Sequence, residues 1–409
     1  MISSTNKKPL EGVTIIELAQ FVAGPSATRI LAEWGAKVIK LEGFNGDHNR
    51  IMGLLNDMPI EDDENPSFDT TSFNKKFVGL NPRKPEGMDI LHKMLKTANV
   101  FMTNYRTPVL EKMGLTYEIL HEKYPHLIFA QLTGYGNKGP DKDVPGYDTI
   151  SYGARGGIIG TMYQKGQEPI NLIPAAGDFT TGMVFAGGIA GALVGQALHG
   201  TGDKITVSLY HVGMWFNIWP IMATEYHDTP QYPRSRLEVN TPGINIYPTS
   251  DRWIQLSCPT YNDYYDRLMQ CIGRNDLVGD TKYNDLATIQ KEGRVREVIN
   301  LLDDALSKKP VAYWKPIFDA AEVPIEPCCT FEDIAEDQQA WEAEFLYKAK
   351  SPNGEEHLHV ASPVQFGSVG QPEANPSRRV GYHTREILAQ YGYSEVEIDN
   401  LVETGAVKD

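Results

Sequence analysis

One aspartate, Asp148, follows a dense run of turn residues: Gly134-Tyr135-Gly136, Gly139-Pro140 and Pro145-Gly146-Tyr147. The apolar stretch Leu127-Ile128-Phe129-Ala130 leads into this run and reads as a strand ending in a glycine-rich turn. A ligand can approach the backbone closely at such a turn, and one carboxylate sits just beyond it. The same residues would equally serve an Asx turn in a surface loop. A second aspartate, Asp178 in Ala176-Gly177-Asp178, either orients a site or caps a helix beginning near Thr180. Cysteines offer less. Cys258, Cys271, Cys328 and Cys329 show no metal-ligand spacing, and neighbouring cysteines rarely pair with each other. No metal site is expected.

The elements that must position Asp148 are legible from periodicity. Val13 to Leu18 is a buried-strand pattern, followed by Pro25 at the position that opens a helix. Ala27, Ile30, Leu31 and Trp34 recur at helical spacing, and Gly35 closes the turn. Val38 to Leu41 and Phe77 to Leu80 read as strands, Pro85 to Ala98 as a helix, and Val100 to Thr103 as a strand. This alternation predicts a parallel, Rossmann-like α/β sheet with helices on both faces. Ligands bind beyond the carboxyl ends of such strands, so Val22-Ala23, Asn104-Tyr105 and the Gly134 run should meet on one rim. His227 to Pro248 reads as a linker into a smaller α+β unit. That unit holds a strand at Trp253–Leu256 and helices at Tyr264–Ile272, Val295–Leu306 and Val311–Ala321. The expected division is 1–226, 227–345 and a carboxy-terminal return, 346–409. Glu61 to Glu64 reads as a solvated acidic loop.

Composition removes several classes. Across 409 residues the formal net charge is −15, which argues against a nucleic-acid binder. Met1 to Leu10 is polar, without the apolar core of a secretory leader. Phe179 to Leu198 and Ile205 to Ala223 approach the length of a bilayer span. The first is rich in Gly and Ala, however, and the second is broken by His211, Asn217 and Pro220. With a mean hydropathy of −0.35, they read as a buried, closely packed helix followed by a core strand and helix, not as a membrane protein. Four cysteines without metal-ligand spacing fit a reduced, cytoplasmic protein.

Several segments, taken in order, resemble the class III CoA-transferase family, also called the carnitine and bile-acid CoA-transferases. They are Gly12 to Leu18, Val22-Ala23-Gly24-Pro25, Trp34 to Glu42, Thr103-Asn104-Tyr105, Lys112-Met113-Gly114-Leu115, the Gly134 to Asp148 run, Ala176-Gly177-Asp178 and Val207-Ser208-Leu209. The series extends to Gly381-Tyr382-His383-Thr384 and Leu388 to Tyr393. The resemblance implies an interlocked, ring-like homodimer that uses coenzyme A as cosubstrate and holds no tight cofactor. It implies Asp148 as the nucleophile that carries an aspartyl-CoA thioester between two mixed anhydrides. Gly134, Gly136 and Gly146 would supply backbone donors to a developing oxyanion. Val22 and Ala23 would meet the adenine or pantetheine, Asn104 and Tyr105 would line the nucleotide pocket, and Lys112 would face a phosphate. Arg29, Lys40, Lys75, Lys76, Arg83, Lys84 and Arg106 are further candidates for a local cationic patch in this acidic chain.

The chain departs from formate- and oxalate-type relatives in this family. Gly43-Phe44 and Thr133 stand where those carry basic residues, Tyr152 replaces a glutamine, and no glycine flap lies near Thr241 to Ser250. Tyr147, Tyr152, Tyr163 and Phe179 suggest a roomier apolar acyl pocket instead, though each could be core packing. The stretch Gly134 to Asp148 resembles the branch, from amino-acid-fermenting anaerobes, that moves CoA onto (R)-2-hydroxy acids. There the acyl-CoA product passes to a 2-hydroxyacyl-CoA dehydratase. The expected partners are thus an acyl-CoA donor, an enoyl-CoA product of that route, and a free carboxylic acid. A carnitine or bile-acid transferase would keep the mechanism. An alpha-methylacyl-CoA racemase would need a histidine where this chain has Tyr147.

Overall fold

The computed structural model describes residues 7–367, 370 and 373–409. The first six residues of the polar amino-terminal stretch lie outside the described residues. Two compact units result: residues 1–159, 171–223 and 338–409 form one, and 160–170 with 224–337 the other.

The larger unit is built on β1 (Thr14–Leu18), β2 (Lys37–Glu42), β3 (Lys75–Leu80), β4 (Val100–Thr103), β5 (Ile128–Thr133) and β6 (Lys204–Ser208). These run parallel in the order β3-β2-β1-β4-β5-β6, and the short strand Val407–Lys408 adds antiparallel beside β3. Successive residues of a strand point to opposite faces, so each strand feeds two cores. Ile16, Leu18, Ile39 and Phe101 pack on one side, and Ile15, Val38, Val100 and Met102 on the other. Burial on both faces explains the near-continuous apolar runs of a parallel sheet. The strand order reverses between β1 and β4. Their carboxyl ends therefore open a crevice, the usual ligand site of this topology.

The helix after β1, Ala23–Glu33, is buried along its whole length. It begins two residues earlier than expected, which leaves Pro25 inside its first turn. The long helix Ala176–His199 corrects the sequence reading more deeply. Thr181, Gly182, Phe185, Ala186, Ile189 and Leu193 are buried, but Met183, Val184, Val194 and Leu198 are exposed. After β6, Leu209–Phe216 and Ile218–Ala223 leave Trp215, Phe216, Trp219 and Met222 exposed, so the second stretch is not a core helix. Apolar composition signalled burial, but part of this apolar surface has no cover among the described residues.

In the smaller unit, β7 (Ile244–Pro248), β8 (Trp253–Ser257) and β9 (Ile325–Pro327) form an antiparallel sheet. The carboxyl end of the expected linker is thus strand β7, which buries Tyr247. The acidic stretch at Glu61 closes through a bridge to Glu64, whose carboxylate lies 3.2 Å from His357.

Candidate active site

Asp148 opens a wide helical turn, Asp148–Arg155, in which the Gly156 N–H reaches back five residues to the Ser151 carbonyl. Such π-type turns are rare and gather at functional sites. The glycines before it serve a close backbone crossing. A Cβ on Gly134 would lie 2.6 Å from the Gly146 Cα, and one on Gly146 would lie 2.4 Å from the Gly134 Cα. The Tyr210 N–H donates to the Gly134 carbonyl at 3.0 Å. Arg155 ties the loop down by an ion pair with Asp141 at 2.6 Å, while its guanidinium lies about 5 Å from both the Tyr135 and Tyr210 rings.

Asp148 is 7% exposed. Its Oδ1 accepts from the Asp178 N–H at 3.1 Å, at the amino end of the helix Ala176–His199. Its Oδ2 is buried with no hydrogen-bond partner among the described residues. Burial raises the Asp148 carboxyl above its ordinary range, and the N–H groups of Gly177, Ala175 and Asp178 oppose that shift. Asp178 is raised further, to about 7, by burial and by the charge of Asp148. The approach is tight. A Cβ on Gly177 would fall 2.4 Å from Asp148 Oδ1 and 2.3 Å from the Tyr152 ring. Tyr152 is itself buried, and a hydrogen bond with Thr180 partly offsets the rise that burial gives its hydroxyl.

Asp148 and Asp178 both line a cavity of about 670 Å³ contained within the larger unit. Val22, Ala23, Asn104, Tyr105, Gly134 and Tyr147 lie on its wall, so the predicted rim does assemble. Asn104 also braces that rim, accepting from Gln20 N and donating to Gln20 O. Lys112, Gly136 and Tyr152 are not among the lining residues, and Tyr163 belongs to the smaller unit. Arg106 and Lys142 are the cationic side chains on the wall. Lys40 and Lys75 are unavailable to a ligand. Both are fully buried against Glu17 at 2.7 Å, and Lys40 also meets Asp47 at 2.7 Å. Arg29 is likewise committed, to Glu33 at 2.8 Å.

Several wall residues gave no sequence signal. Phe21 adopts a left-handed conformation with φ 63°, which is uncommon for a bulky residue. Asp47 holds it there, accepting from Phe21 N at 2.8 Å. The Phe21 ring stacks on His48 at 5.4 Å and meets Tyr147 edge-on at 5.8 Å. Met52, Leu55, Met58 and Phe179 add apolar surface to the cavity. No cluster able to hold a metal ion occurs among the described residues.

The crevice with its buried carboxylate thus sits on a sheet of order 3-2-1-4-5-6. The chain belongs to CoA-transferase family III, whose model matches residues 10–384. It is an enzyme of the CoA-transferase class. It is 44% identical to the cinnamoyl-CoA:phenyllactate CoA-transferase of Clostridium sporogenes, over 97% of this chain and 96% of that one. It is 38% identical to the (R)-2-hydroxy-4-methylpentanoate CoA-transferase of Clostridioides difficile, over 98% and 99%. The fold is shared with a CAIB/BAIF family protein from Brucella suis: TM-score 0.79 at 23% identity, covering 94% of this chain and 100% of that one.

Proposed function

We propose that this enzyme transfers coenzyme A from an acyl-CoA, an enoyl-CoA in its physiological setting, to an (R)-2-hydroxy acid, with Asp148 as nucleophile. The observation that carries this reading is the Asp148 carboxylate itself, with one oxygen braced on a helix amino terminus and the other unpartnered beside an apolar-walled cavity. The 44% and 38% identities to transferases named for phenyllactate and 2-hydroxy-4-methylpentanoate support the acceptor class.

An Asp148 oxygen attacks the thioester carbonyl, the C–S bond breaks, and CoA leaves as thiolate from a mixed anhydride. The thiolate attacks the aspartyl carbonyl, releasing the donor acid and leaving an aspartyl-CoA thioester. The acceptor carboxylate attacks that thioester, expelling the thiolate and forming a second anhydride. The thiolate then takes the acceptor acyl group, and Asp148 is regenerated. No ATP or net proton is consumed. Splitting the exchange in this way replaces one difficult step with easier ones.

CoA enters over Val22-Ala23 and Asn104-Tyr105, with Arg106 and Lys142 on the wall to meet its phosphates and the exposed Lys112 as a further cation for them. The acyl group faces Met52, Leu55, Met58 and Phe179, and the flexible thioethers of the two methionines suit a bulky side chain. The enzyme acts in the cytoplasm as a homodimer, and its product suits a 2-hydroxyacyl-CoA dehydratase. Asp148→Asn tests the assignment. CoA still binds, while exchange between cinnamoyl-CoA and (R)-phenyllactate falls to background. A variant that retains exchange would remove Asp148 from the nucleophile role.

A further inference from the structure

We infer that Asp178 is the receiving group for the free acid: protonated, it donates a hydrogen bond to the incoming carboxylate beside Asp148. This rests on the transferase reading above and assigns a binding role within the same cavity.

Asp148 and Asp178 are two residues of one wall, joined by the Asp178 N–H bond to Asp148 Oδ1. The Asp178 carboxyl has no hydrogen bond or ion pair of its own among the described residues. Exchange requires a third carboxylate, that of the free acid, to enter this space. The acid meets Asp178 beside an ionised Asp148 in the free enzyme and beside the aspartyl-CoA thioester during turnover, so at least two carboxylates share a poorly solvated site, and such sites resolve the conflict by retaining a proton. Asp178 is the group able to do so. Its carboxyl is raised to about 7, first by burial and then by Asp148. The other ionisable groups on the wall are Tyr105, Arg106, Lys142 and Tyr147, and none of these acts on it.

Binding of an acid anion above neutral pH therefore takes one proton from solvent onto Asp178. The acyl-CoA donor brings no free carboxylate, so its binding is not coupled in this way. Sign follows directly: the competent form is protonated, and it is lost as pH rises through about 7. The apparent KM for the acid then climbs about tenfold from pH 8 to pH 9, one decade per pH unit above the pKa.

Steady-state kinetics with (R)-phenyllactate, from about pH 6 to pH 9, and calorimetric titration of the same acid test this. The wild-type KM for the acid should climb as stated while the KM for cinnamoyl-CoA stays level. Binding heats at about pH 8 should differ between buffers of different ionisation enthalpy, by the amount for nearly one proton taken up. Asp178→Asn keeps the backbone donor to Asp148 and offers an amide N–H at every pH. Its KM for the acid should be level and its heats independent of buffer. A level wild-type KM, buffer-independent heats, an alkaline rise that persists in Asp178→Asn, or absence of acid binding at about pH 6 each overturns the assignment. Acyl capture on Asp148 is a separate readout, so failure of the nucleophile reading is distinguishable from failure of this one.

Discussion

At the scale of the residue, Asp148 sits under opposed influences. Burial penalises its charge, while three backbone N–H groups at the helix amino terminus favour it, and burial prevails. A carboxylate nucleophile must be ionised to attack. The acid limb of kcat/KM for the acyl-CoA donor should therefore lie above the ordinary aspartate value of 3.8. Initial rates from about pH 4 to pH 7 measure that midpoint, and loss of activity only below the ordinary value would contradict the burial argument. Tyr152 belongs to the same account. The sequence offered it as part of an acyl pocket, but its ring lies against Gly177 and its hydroxyl is joined to Thr180. It supports the nucleophile's bed and leaves the cavity wall to Tyr147 and Phe179.

At the scale of the element, the site is made by close approaches that only glycine permits. Gly177 lets the helix amino terminus reach Asp148. Gly177→Ala should lower kcat by about two orders of magnitude, the cost of displacing a reacting group by about 1 Å. Steady-state rates set beside a thermal melt check this, the melt guarding against a loss of fold. Strand and helix periodicity made the parallel sheet and the meeting of three loops on one rim legible, because buried strands must be apolar on both faces. The Gly134 and Gly146 pair was legible only as a turn. That each glycine sits against the other depends on a crossing of backbones that spacing does not encode. The left-handed Phe21 and its Asp47 anchor were invisible, since a positive φ at a bulky residue follows from tertiary restraint and not from local preference. The basic residues Lys40 and Lys75 misled for a similar reason. A lysine that closes a buried ion-pair network looks, in sequence, like one that meets a phosphate.

At the scale of the whole molecule, the network of Glu17, Lys40, Lys75 and Asp47 lies beneath the crevice and joins β1, β2 and β3. Burial alone would raise the Glu17 carboxyl, but Lys40 and Lys75 hold it down at about 2. Its stabilising contribution is full above the unfolded carboxylate value near 4.5 and is lost as pH falls towards 2. Glu17→Gln leaves two buried cations short of a partner. It should destabilise the fold by about 3–5 kcal/mol, the range for breaking one side of a buried pair, as read from urea unfolding at neutral pH. The uncovered apolar face is the other molecular feature. Gly187, Gly191 and Gly195 lie one turn apart on the long helix with open space around each, and such spacing lets a second helix come close. With Trp219 83% exposed nearby in sequence, the proposed homodimer gives this surface an occupant. Sedimentation velocity should find two chains in the wild type and one in Val194→Glu/Leu198→Glu, and a monomeric wild type would contradict it.

The central claim is that Asp148 becomes covalently acylated, and intact-protein mass spectrometry tests it most directly. The enzyme is incubated with a panel of acyl-CoAs, cinnamoyl-CoA among them, quenched with hydroxylamine or borohydride, and mapped by peptide. A modification should appear on the peptide carrying Asp148 and vanish in Asp148→Asn. An unmodified Asp148 in an enzyme that still binds acyl-CoA would contradict it.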